Sequence, residues 1–351
     1  MASTSAPTGR RMQHRPRVLF ICGSLNQTRQ MHKIAQELPD WEAHYSPYYC
    51  DGLLEWFRKA GMLEFTILGW RRRKEALRYC RRAGLSVDYE GRTHAYDLTV
   101  TCSDVIVPRN ARRSRLVAVQ EGITDPENFW YWARRVFPFV PRWAAGTTWT
   151  GTSNAYDRFC VASQGYKDLF ARRGADPDKM VVTGIPNFDD CAEYHANDFP
   201  HRDYVLVCTS DARETLKLDS RKRFLERALA IAAGRPLIFK LHPNEDWERA
   251  QREIAHMAPH ARVYTTGSAE QMVANCAVLV CQYSTLAFVG LALGKEVHSH
   301  YRPEELARLL PVQNRSAAKL IAQVCRTVMD EAPAREPWQS GLATANLELS
   351  A

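Results

Sequence analysis

The chain has 351 residues, which is enough for two domains, and 45% of them are hydrophobic, so each domain can bury a core without disulfides or metals. Its formal net charge of +8 favours an anionic partner such as a nucleotide, an anionic lipid or a nucleic acid. No apolar stretch reaches the roughly 18 residues of a membrane-spanning helix. The ten singly spaced cysteines indicate reduced core residues of a cytoplasmic protein.

The first half of the chain alternates short apolar runs with helical patterns. Residues 1–15 are basic and lack the apolar core of a signal peptide, and we expect them to be disordered. An apolar run at 17–22 then predicts a strand, and a helical pattern follows it. Further apolar runs predict strands at 98–102, 105–107, 116–119, 158–162 and 180–183.

The pattern restarts after a stretch at 187–202 that contains Pro and Asp, which we interpret as a linker. Strands are predicted at 203–208, 236–241, 262–264 and 277–281, and helices at 221–233, 247–257, 268–275, 286–293 and 316–329. Alternating strands and helices imply parallel sheets. We therefore predict an α/β fold of two Rossmann-like doubly wound domains that face a cleft, spanning 16–186 and 203–330, with a tail at 331–351.

Ligands of parallel α/β sheets bind at the carboxyl ends of strands, so residues directly after predicted strands are the candidate site. Glu121 follows such a strand with Gly122 beside it, and its carboxylate can act as a general base on a hydroxyl. A helix-capping or salt-bridged acid is the alternative. Asp125 is the second candidate for the base. Gly23 and Ser24 follow the first strand, but a full G-x-G-x-x-G fingerprint is absent, which favours a tight turn.

Polar residues also follow the strands of the second half. Lys240 and His242 lie on one side of their strand by alternation, and Pro243 fixes the turn, so the pair suits a phosphate. A strand-end His bonded to backbone is the alternative. Ser284 and Thr285 open a helix, where free N–H groups and hydroxyls bind anions, although a plain N-cap has the same pattern. Other candidates at strand ends are Thr209, Ser210, Tyr264 and Gln282.

Two motifs could suggest a metal, and we interpret neither as a metal site. Asp176-Pro-Asp178 matches a D-x-D pattern, but its neighbours have the composition of a turn before a strand. For His298-Ser-His300 we expect no cluster of acidic or Cys partners, which favours a surface loop. We therefore expect neither a metal nor a cofactor.

Two segments, 53–82 and 129–149, mix aromatic side chains with Arg and Lys. Such segments can lie at a lipid headgroup layer or stack nucleic acid bases. For either segment alone, a helix with an aromatic core face is the alternative. Two such segments in the first half of the chain favour contact with an anionic membrane surface, and we expect no specific binding of nucleic acid. We therefore expect a cytoplasmic protein, peripheral on the inner face of the cell membrane.

The motifs that follow the strands resemble those of GT-B enzymes with cytidine-activated donors. These are CDP-glycerol glycerophosphotransferases, bacterial sialyl- and polysialyltransferases and capsule Kdo transferases, which carry an acidic motif in the first domain and H-P and S/T motifs in the second. The matching segments here are Gln120-Glu121-Gly122, His242-Pro243 and Ser284-Thr285. Gln120 replaces the first acid of the family pair, and Gln282 replaces an Asp of the glycerophosphotransferases. The UDP-GlcNAc 2-epimerases share the architecture.

The resemblance implies an acceptor-binding first domain, a second domain that binds a nucleotide-activated donor, and two catalytic residues, Glu121 and His242. Glu121 is then the base, while His242, Ser284 and Thr285 bind the donor phosphate and nucleotide. The acceptor side comprises Gly23, Ser24, Gly122 and Asp125.

The expected reaction is a metal-independent, inverting transfer of a sugar to a hydroxyl of a saccharide, a lipid or a lipid-linked saccharide. The alternatives are a non-hydrolysing nucleotide-sugar 2-epimerase, a CDP-glycerol-type phosphotransferase, and a non-catalytic protein that binds nucleotide or RNA.

Overall fold

A computed structural model of the chain describes residues 15–331, except 65, 67, 138 and 215–219 and the side chains of Leu53 and Ala145. The start that is expected to be disordered, 1–15, lies outside the described residues apart from Arg15. The predicted tail, 331–351, lies outside them apart from Glu331. Within the described part, no helix has the length and apolar character to cross a membrane.

The first half forms a six-stranded parallel sheet with the strand order β2-β1-β3-β4-β5-β6. Its strands are β1 (Arg17–Cys22), β2 (Glu42–Pro47), β3 (Leu98–Thr101), β4 (Arg115–Val119), β5 (Arg158–Val161) and β6 (Met180–Val182). The chain reverses its direction across the sheet between β1 and β3. Such a switch point opens a crevice at the carboxyl ends of the strands.

Helices cover both faces of this sheet, which explains why its strands are almost entirely buried. The helices of this half are α1 (Leu25–Gln36), α2 (Leu53–Lys59), α3 (Trp70–Arg82), α4 (Phe129–Val136) and α5 (Gln164–Arg173). Ser24 caps α1 by accepting a hydrogen bond from the Gln27 N–H, and Ser163 caps α5 in the same way from the Tyr166 N–H. These caps fix where each chain segment leaves the carboxyl edge of the sheet.

The second half forms a five-stranded parallel sheet with the strand order β11-β10-β7-β8-β9. Its strands are β7 (Val205–Cys208), β8 (Leu237–Lys240), β9 (Arg262–Tyr264), β10 (Val278–Val280) and β11 (Glu296–His298). The helices are α6 (Arg221–Ala232), α7 (Trp247–Met257), α8 (Ala269–Asn275), α9 (Leu286–Ala292), α10 (Pro303–Leu309) and α11 (Ala317–Asp330). The switch point of this sheet lies between β7 and β10.

The predicted architecture of two Rossmann-like parallel sheets is confirmed, and so is the burial of all ten cysteines as free thiols. The strand predicted at 105–107 is wrong. Residues 103–106 form a bent segment whose carbonyl groups bond to a side chain, because the Tyr48 hydroxyl donates to the carbonyls of Ser103 and Ile106. A side chain thus replaces the neighbouring strand as the partner of this backbone.

The last helix, α11, packs against the first sheet although it follows the second in the chain. Ile321, Cys325 and Val328 of α11 are buried in the same apolar cluster as Val18 and Val117. The predicted second domain, 203–330, ends with this helix in chain order. The apolar face of α11 covers the first sheet, so this helix belongs spatially to the first domain.

The two domains also pack on each other directly. The Tyr166 ring on α5 meets the Phe288 ring on α9 edge-on, with ring centroids 6.1 Å apart. A Cβ added at Gly165 would lie 2.1 Å from the Arg308 carbonyl oxygen, so α10 can approach α5 this closely only because residue 165 is glycine. These contacts hold the two carboxyl edges near each other.

Candidate active site

Glu121 follows β4 and lies in a cradle of hydrogen-bond donors at the start of α1. The Ser24 hydroxyl donates to Oε1 at 3.1 Å, the Asn26 amide donates to Oε1 at 3.4 Å, and the Gln27 amide donates to Oε2 at 2.5 Å. These donors are neutral, so they orient the carboxylate without adding a positive charge. A carboxylate offers about four lone-pair positions. The arrangement therefore leaves Glu121 able to accept a proton.

Gln120, which stands in place of an acid of the families that the motifs resemble, is buried and hydrogen-bonded through both ends of its side-chain amide. Its amide donates to the Gly122 carbonyl at 2.9 Å and accepts from the Ala162 N–H at 2.9 Å. Its own carbonyl accepts from the Gln30 amide at 2.9 Å. An ionised acid here could not donate to Gly122. Gln120 thus shapes the turn that carries Glu121.

The loop after β4 touches the second domain at Gly122. A Cβ there would lie 2.7 Å from Thr285 Oγ1, and the Ile123 N–H donates to the same oxygen at 3.4 Å. One residue further, the Thr124 carbonyl accepts from the Tyr301 hydroxyl at 2.7 Å. The acidic motif of one domain and the S/T motif of the other are therefore neighbours in space.

Asp125, the alternative base, bonds to a different part of the first domain. Its Oδ2 accepts from the Thr147 hydroxyl at 2.8 Å, and its carbonyl accepts from Arg173 Nη2 at 3.3 Å. Thr147 belongs to the 3-10 segment Arg142–Trp149. Asp125 thus ties the loop after β4 to the aromatic segment 129–149.

On the second domain, Ser210 and Gln282 flank the switch point between β7 and β10. The Ser210 hydroxyl donates to Gln282 Oε1 and links the carboxyl ends of the two strands. Ser284 is half-buried, and its Oγ accepts from the Leu286 N–H at 3.3 Å at the start of α9. Ser210 and Gln282 therefore lie where ligands generally bind in a parallel sheet, at its switch point.

His242 is half-buried at the start of the loop after β8. Its Nδ1 accepts from the Asn244 N–H at 3.2 Å, so the neutral ring carries its proton on Nε2. Burial lowers the pKa of His242; Asp211, with Oδ2 3.7 Å from Nδ1, opposes this effect, and Arg72 adds to it. The ring is therefore neutral at pH 7 and can donate through Nε2–H.

Lys240 does not present a free ammonium group. The side chain is buried, and Nζ donates to the carbonyls of Leu241 at 3.0 Å and Thr265 at 3.1 Å. Burial also lowers the pKa of this ammonium. These bonds fasten the ends of β8 and β9, so Lys240 supports the loop of His242 by holding the strands beneath it.

Two further candidates from the sequence also fasten backbone. The buried Thr209 hydroxyl donates to the Glu245 carboxylate, and it accepts from the N–H of His242 at 3.1 Å. The Tyr264 hydroxyl bonds to His201 Nε2 at 2.8 Å within the predicted linker. Thr209 therefore fixes the turn of the H-P motif, and Tyr264 anchors the linker to β9.

Two arginines that the sequence does not single out reach this site from the first domain. Arg71 Nη2, at the start of α3, donates to the Pro243 carbonyl at 2.9 Å. Arg72 Nη2 lies 3.7 Å from Asp211 Oδ2, which also lies near His242. No sequence pattern pairs residues from two domains, so these arginines were assigned only to a basic surface segment. They add positive charge beside the H-P motif.

The two metal-like motifs have structural partners. Asp176 accepts from the Asp178 N–H at 3.0 Å and caps the 3-10 turn Pro177–Lys179, as the turn composition predicts. The surface loop predicted for His298 is wrong, because His298 ends the edge strand β11. Its Nε2 lies 2.6 Å from Glu296 Oε1. The sequence missed this strand because it is short and polar at both ends.

The segment 129–149 exposes large aromatic side chains, and we call this region the aromatic surface. Beneath it, the buried Tyr131 packs on Trp149 at 5.0 Å, and the Arg134 guanidinium lies 5.5 Å from the Trp149 ring. The exposed aromatic members are Phe129, Trp130, Trp132, Phe137, Phe139 and Trp143. In the segment 53–82, Leu54, Phe57, Leu63 and Leu68 pack into or against the core, whereas Trp56, Met62 and Trp70 are exposed.

Sequence comparison finds no match for the chain, either to a family model or to a curated protein. Solved structures do match. A protein from Listeria monocytogenes named for UDP-N-acetylglucosamine 2-epimerase has a TM-score of 0.59 at 11% identity, over 93% of this chain and all of that chain. UDP-GlcNAc 2-epimerase from Neisseria meningitidis, bound to UDP-GlcNAc, has a TM-score of 0.51 at 10% identity, over 89% of this chain and all of that chain.

This chain has the GT-B fold. The wall teichoic acid polymerase TagF also matches, with a TM-score of 0.49 at 10% identity, over 89% of this chain and 88% of that chain. At these identities the likeness concerns the fold alone. The GT-B fold places the carboxyl edges of two Rossmann-like domains across a cleft, which is where Glu121, His242 and Ser284 follow their strands.

Proposed function

We propose that the protein is a metal-independent inverting glycosyltransferase, which moves a sugar from a nucleotide-activated donor to an acceptor hydroxyl. The observation that carries this proposal is the contact between Gly122 and Thr285. Through it, the loop that carries Glu121 touches the second domain, while the Glu121 carboxylate lies within a cradle of neutral donors from the first domain. Enzymes of the GT-B class bind nucleotide sugars on this fold, as the epimerase bound to UDP-GlcNAc illustrates.

The proposed reaction is a single displacement. The acceptor hydroxyl oxygen attacks the anomeric carbon of the donor while Glu121 takes the hydroxyl proton. The bond between that carbon and the donor phosphate oxygen breaks, and the nucleotide leaves with the bonding electron pair. Attack from the face opposite the leaving group inverts the configuration of the sugar.

The charge that develops on the leaving phosphate needs donors fixed in place. His242 Nε2–H and the Ser284 hydroxyl supply two of them from the second domain. Arg71 and Arg72 supply positive charge from the first domain, next to the H-P loop. These groups act where other transferases place a divalent metal. Chelation is the direct test: transfer that continues in EDTA supports this assignment, and loss of transfer with rescue by Mg²⁺ or Mn²⁺ contradicts it.

A second candidate function is epimerisation of a nucleotide sugar. The structural neighbours named for UDP-GlcNAc 2-epimerase favour it. An epimerase needs no acceptor, because it acts on the sugar of one nucleotide sugar. Incubation of the protein with nucleotide sugars, first alone and then with an acceptor, separates the two candidates. An epimerised nucleotide sugar supports epimerisation, whereas one that is unchanged alone and loses its nucleotide when an acceptor is added supports transfer.

We also propose that the acceptor is a lipid or a lipid-linked saccharide at an anionic membrane. The aromatic surface supports this, since Phe129 is 75% and Phe139 is 83% exposed. Asp125, on the loop of the proposed base, bonds to Thr147 of the same segment. A surface that enters the headgroup layer would therefore bring Glu121 close to a lipid-borne hydroxyl. Basic residues near such a surface each contribute about 1 kcal/mol.

A further inference from the structure

Glu42, His44 and His94 form a cluster at the amino edge of the first sheet, away from the cleft. Glu42 and His44 are alternate residues of the edge strand β2, and His94 comes from the loop before β3. Their potential ligand atoms all lie within 4.8 Å of one another. Within the described residues, this is the one group of three such side chains that gathers so closely.

The side chains already have much of the order that a metal site requires. His44 Nε2 lies 2.9 Å from Glu42 Oε1, and the rings of His44 and His94 have centroids 4.6 Å apart. His44 is buried and packs edge-on against Tyr96 at 5.7 Å. Two ligands are thus held by β2 and by packing, while His94 is half-buried and can adjust.

We propose that this cluster binds a zinc ion through Glu42, His44 and His94, with water in the fourth position. Two imidazoles and a carboxylate are a donor set that Zn²⁺ prefers, at bond lengths of about 2.0–2.2 Å. A tetrahedral ion places its ligands about 3.4 Å apart at such bond lengths. Glu42 Oε1 and His44 Nε2, now 2.9 Å apart, need to separate by only about 0.5 Å to reach this spacing, and a rotation of His94 completes the site.

Neighbouring groups orient the carboxylate in the manner of a metal's outer shell. Arg17 Nε donates to Glu42 Oε2 at 2.8 Å, which leaves Oε1 for the metal. The Asp97 carboxylate accepts from the Arg17 backbone N–H at 2.8 Å and places a negative charge beside the guanidinium. Asp97 therefore reduces the repulsion that Arg17 would exert on a cation.

The location of the cluster gives the ion a structural role. Glu42 begins β2, whereas Glu121 follows the opposite, carboxyl end of β4. A strand of six residues spans about 16 Å, so an ion here lies far from the cleft. It would join the edge strand β2 to the loop before β3. The proposed transfer therefore remains independent of this metal.

The second sheet supplies a matched control. Glu296 and His298 are also alternate residues of an edge strand, β11, with His298 Nε2 2.6 Å from Glu296 Oε1. Within the described residues, no third ligand joins that pair in a metal-like cluster. His94→Gln should therefore remove zinc binding, whereas His298→Gln should not. His94→Gln is preferred over a change at His44 because His44 is buried and its replacement endangers folding.

The test uses the full chain, stripped with a chelator and then titrated with Zn²⁺ by calorimetry. We expect wild type and His298→Gln to bind one ion with equal affinity, and His94→Gln to bind at least about tenfold more weakly. Co²⁺ should give the absorption of a tetrahedral centre in wild type and in His298→Gln, but not in His94→Gln. Zinc should also raise their melting temperature, but not that of His94→Gln. No zinc binding by wild type, or equal binding by His94→Gln, overturns the proposal.

Discussion

Replacement of Glu121 by Gln keeps the size of the side chain and removes its ability to accept a proton at pH 7. The substitution also changes the stability of the fold, and the hydrogen bonds around Glu121 give the size of that change. The Gln oxygen can still accept from Ser24 and Asn26, but its NH₂ group then faces the Gln27 amide, which is also a donor. Gln27 cannot turn over without loss, because its own Oε1 accepts from the Gly23 N–H at 2.7 Å.

The variant therefore loses one charge-assisted hydrogen bond and leaves a donor unpaired, at about 1–3 kcal/mol of folding free energy. That is a fraction of the total stability of an ordinary protein, about 5–15 kcal/mol, so the variant should fold. A positioned general base contributes about 10²–10⁴-fold to the rate. We expect turnover of Glu121→Gln to fall by that factor while its affinity for the donor stays near wild type.

The assay follows release of nucleotide and transfer of sugar, with donor affinity measured by calorimetry and folding by circular dichroism. Gln27→Met is the matched control, because it removes the same hydrogen bond and keeps the carboxylate, so its turnover should fall far less. Asp125→Asn tests the alternative base and should stay active. If Glu121→Gln keeps near-normal turnover while Asp125→Asn is inactive, the base is Asp125. If both stay active, no carboxylate of this loop is the base.

Three more predictions concern the donor, the metal and the membrane. His242→Ala and Ser284→Ala should each weaken nucleotide binding about tenfold without unfolding the protein, since each loses one hydrogen bond of about 1.4 kcal/mol. Calorimetry measures the affinity, and an unchanged affinity in both variants contradicts the donor assignment. EDTA should leave turnover intact while it lowers the melting temperature through the zinc site; an unchanged melting temperature would count against that site only. The protein should co-sediment with anionic vesicles at low salt, and Phe139→Ala with Trp130→Ala should reduce this. Tyr89→Ala, an exposed aromatic residue outside both segments, is the control, and failure of wild type to sediment leaves a soluble acceptor.

The sequence predicts those parts of the site that depend on one strand and the loop after it. The helix predicted at 247–257 and the strand at 262–264 match α7 and β9, because strong apolar periodicity and clear breakers mark their ends. Glu121, Ser210 and Ser284 follow strands as predicted, since each strand is an apolar run that stops at polar residues. Rossmann-like topology then brings the strand ends of each sheet to one edge of that sheet.

The rest depends on contacts between residues distant in the chain. The strand β2 has the sequence Glu-Ala-His-Tyr-Ser-Pro, which lacks an apolar run because β2 is an edge strand, and its pattern alone does not reveal it. Lys240 looked free for a phosphate, but the carbonyls of Leu241 and Thr265 hold it. Arg71 and the return of α11 to the first sheet are likewise features of tertiary packing, which periodicity does not encode.

The central claim is that this protein transfers a sugar between two molecules, and one measurement addresses it most directly. A thermal-shift panel of CMP, CDP, UDP, GDP and their sugars first selects the donor. The protein is then incubated in EDTA with that nucleotide sugar, with and without a membrane lipid extract, and nucleotide and sugar products are followed by mass spectrometry and NMR. We predict nucleotide release matched by a sugar of inverted configuration on a lipid, in the presence of the extract only. An epimerised, intact nucleotide sugar formed without the extract would contradict the proposed transfer.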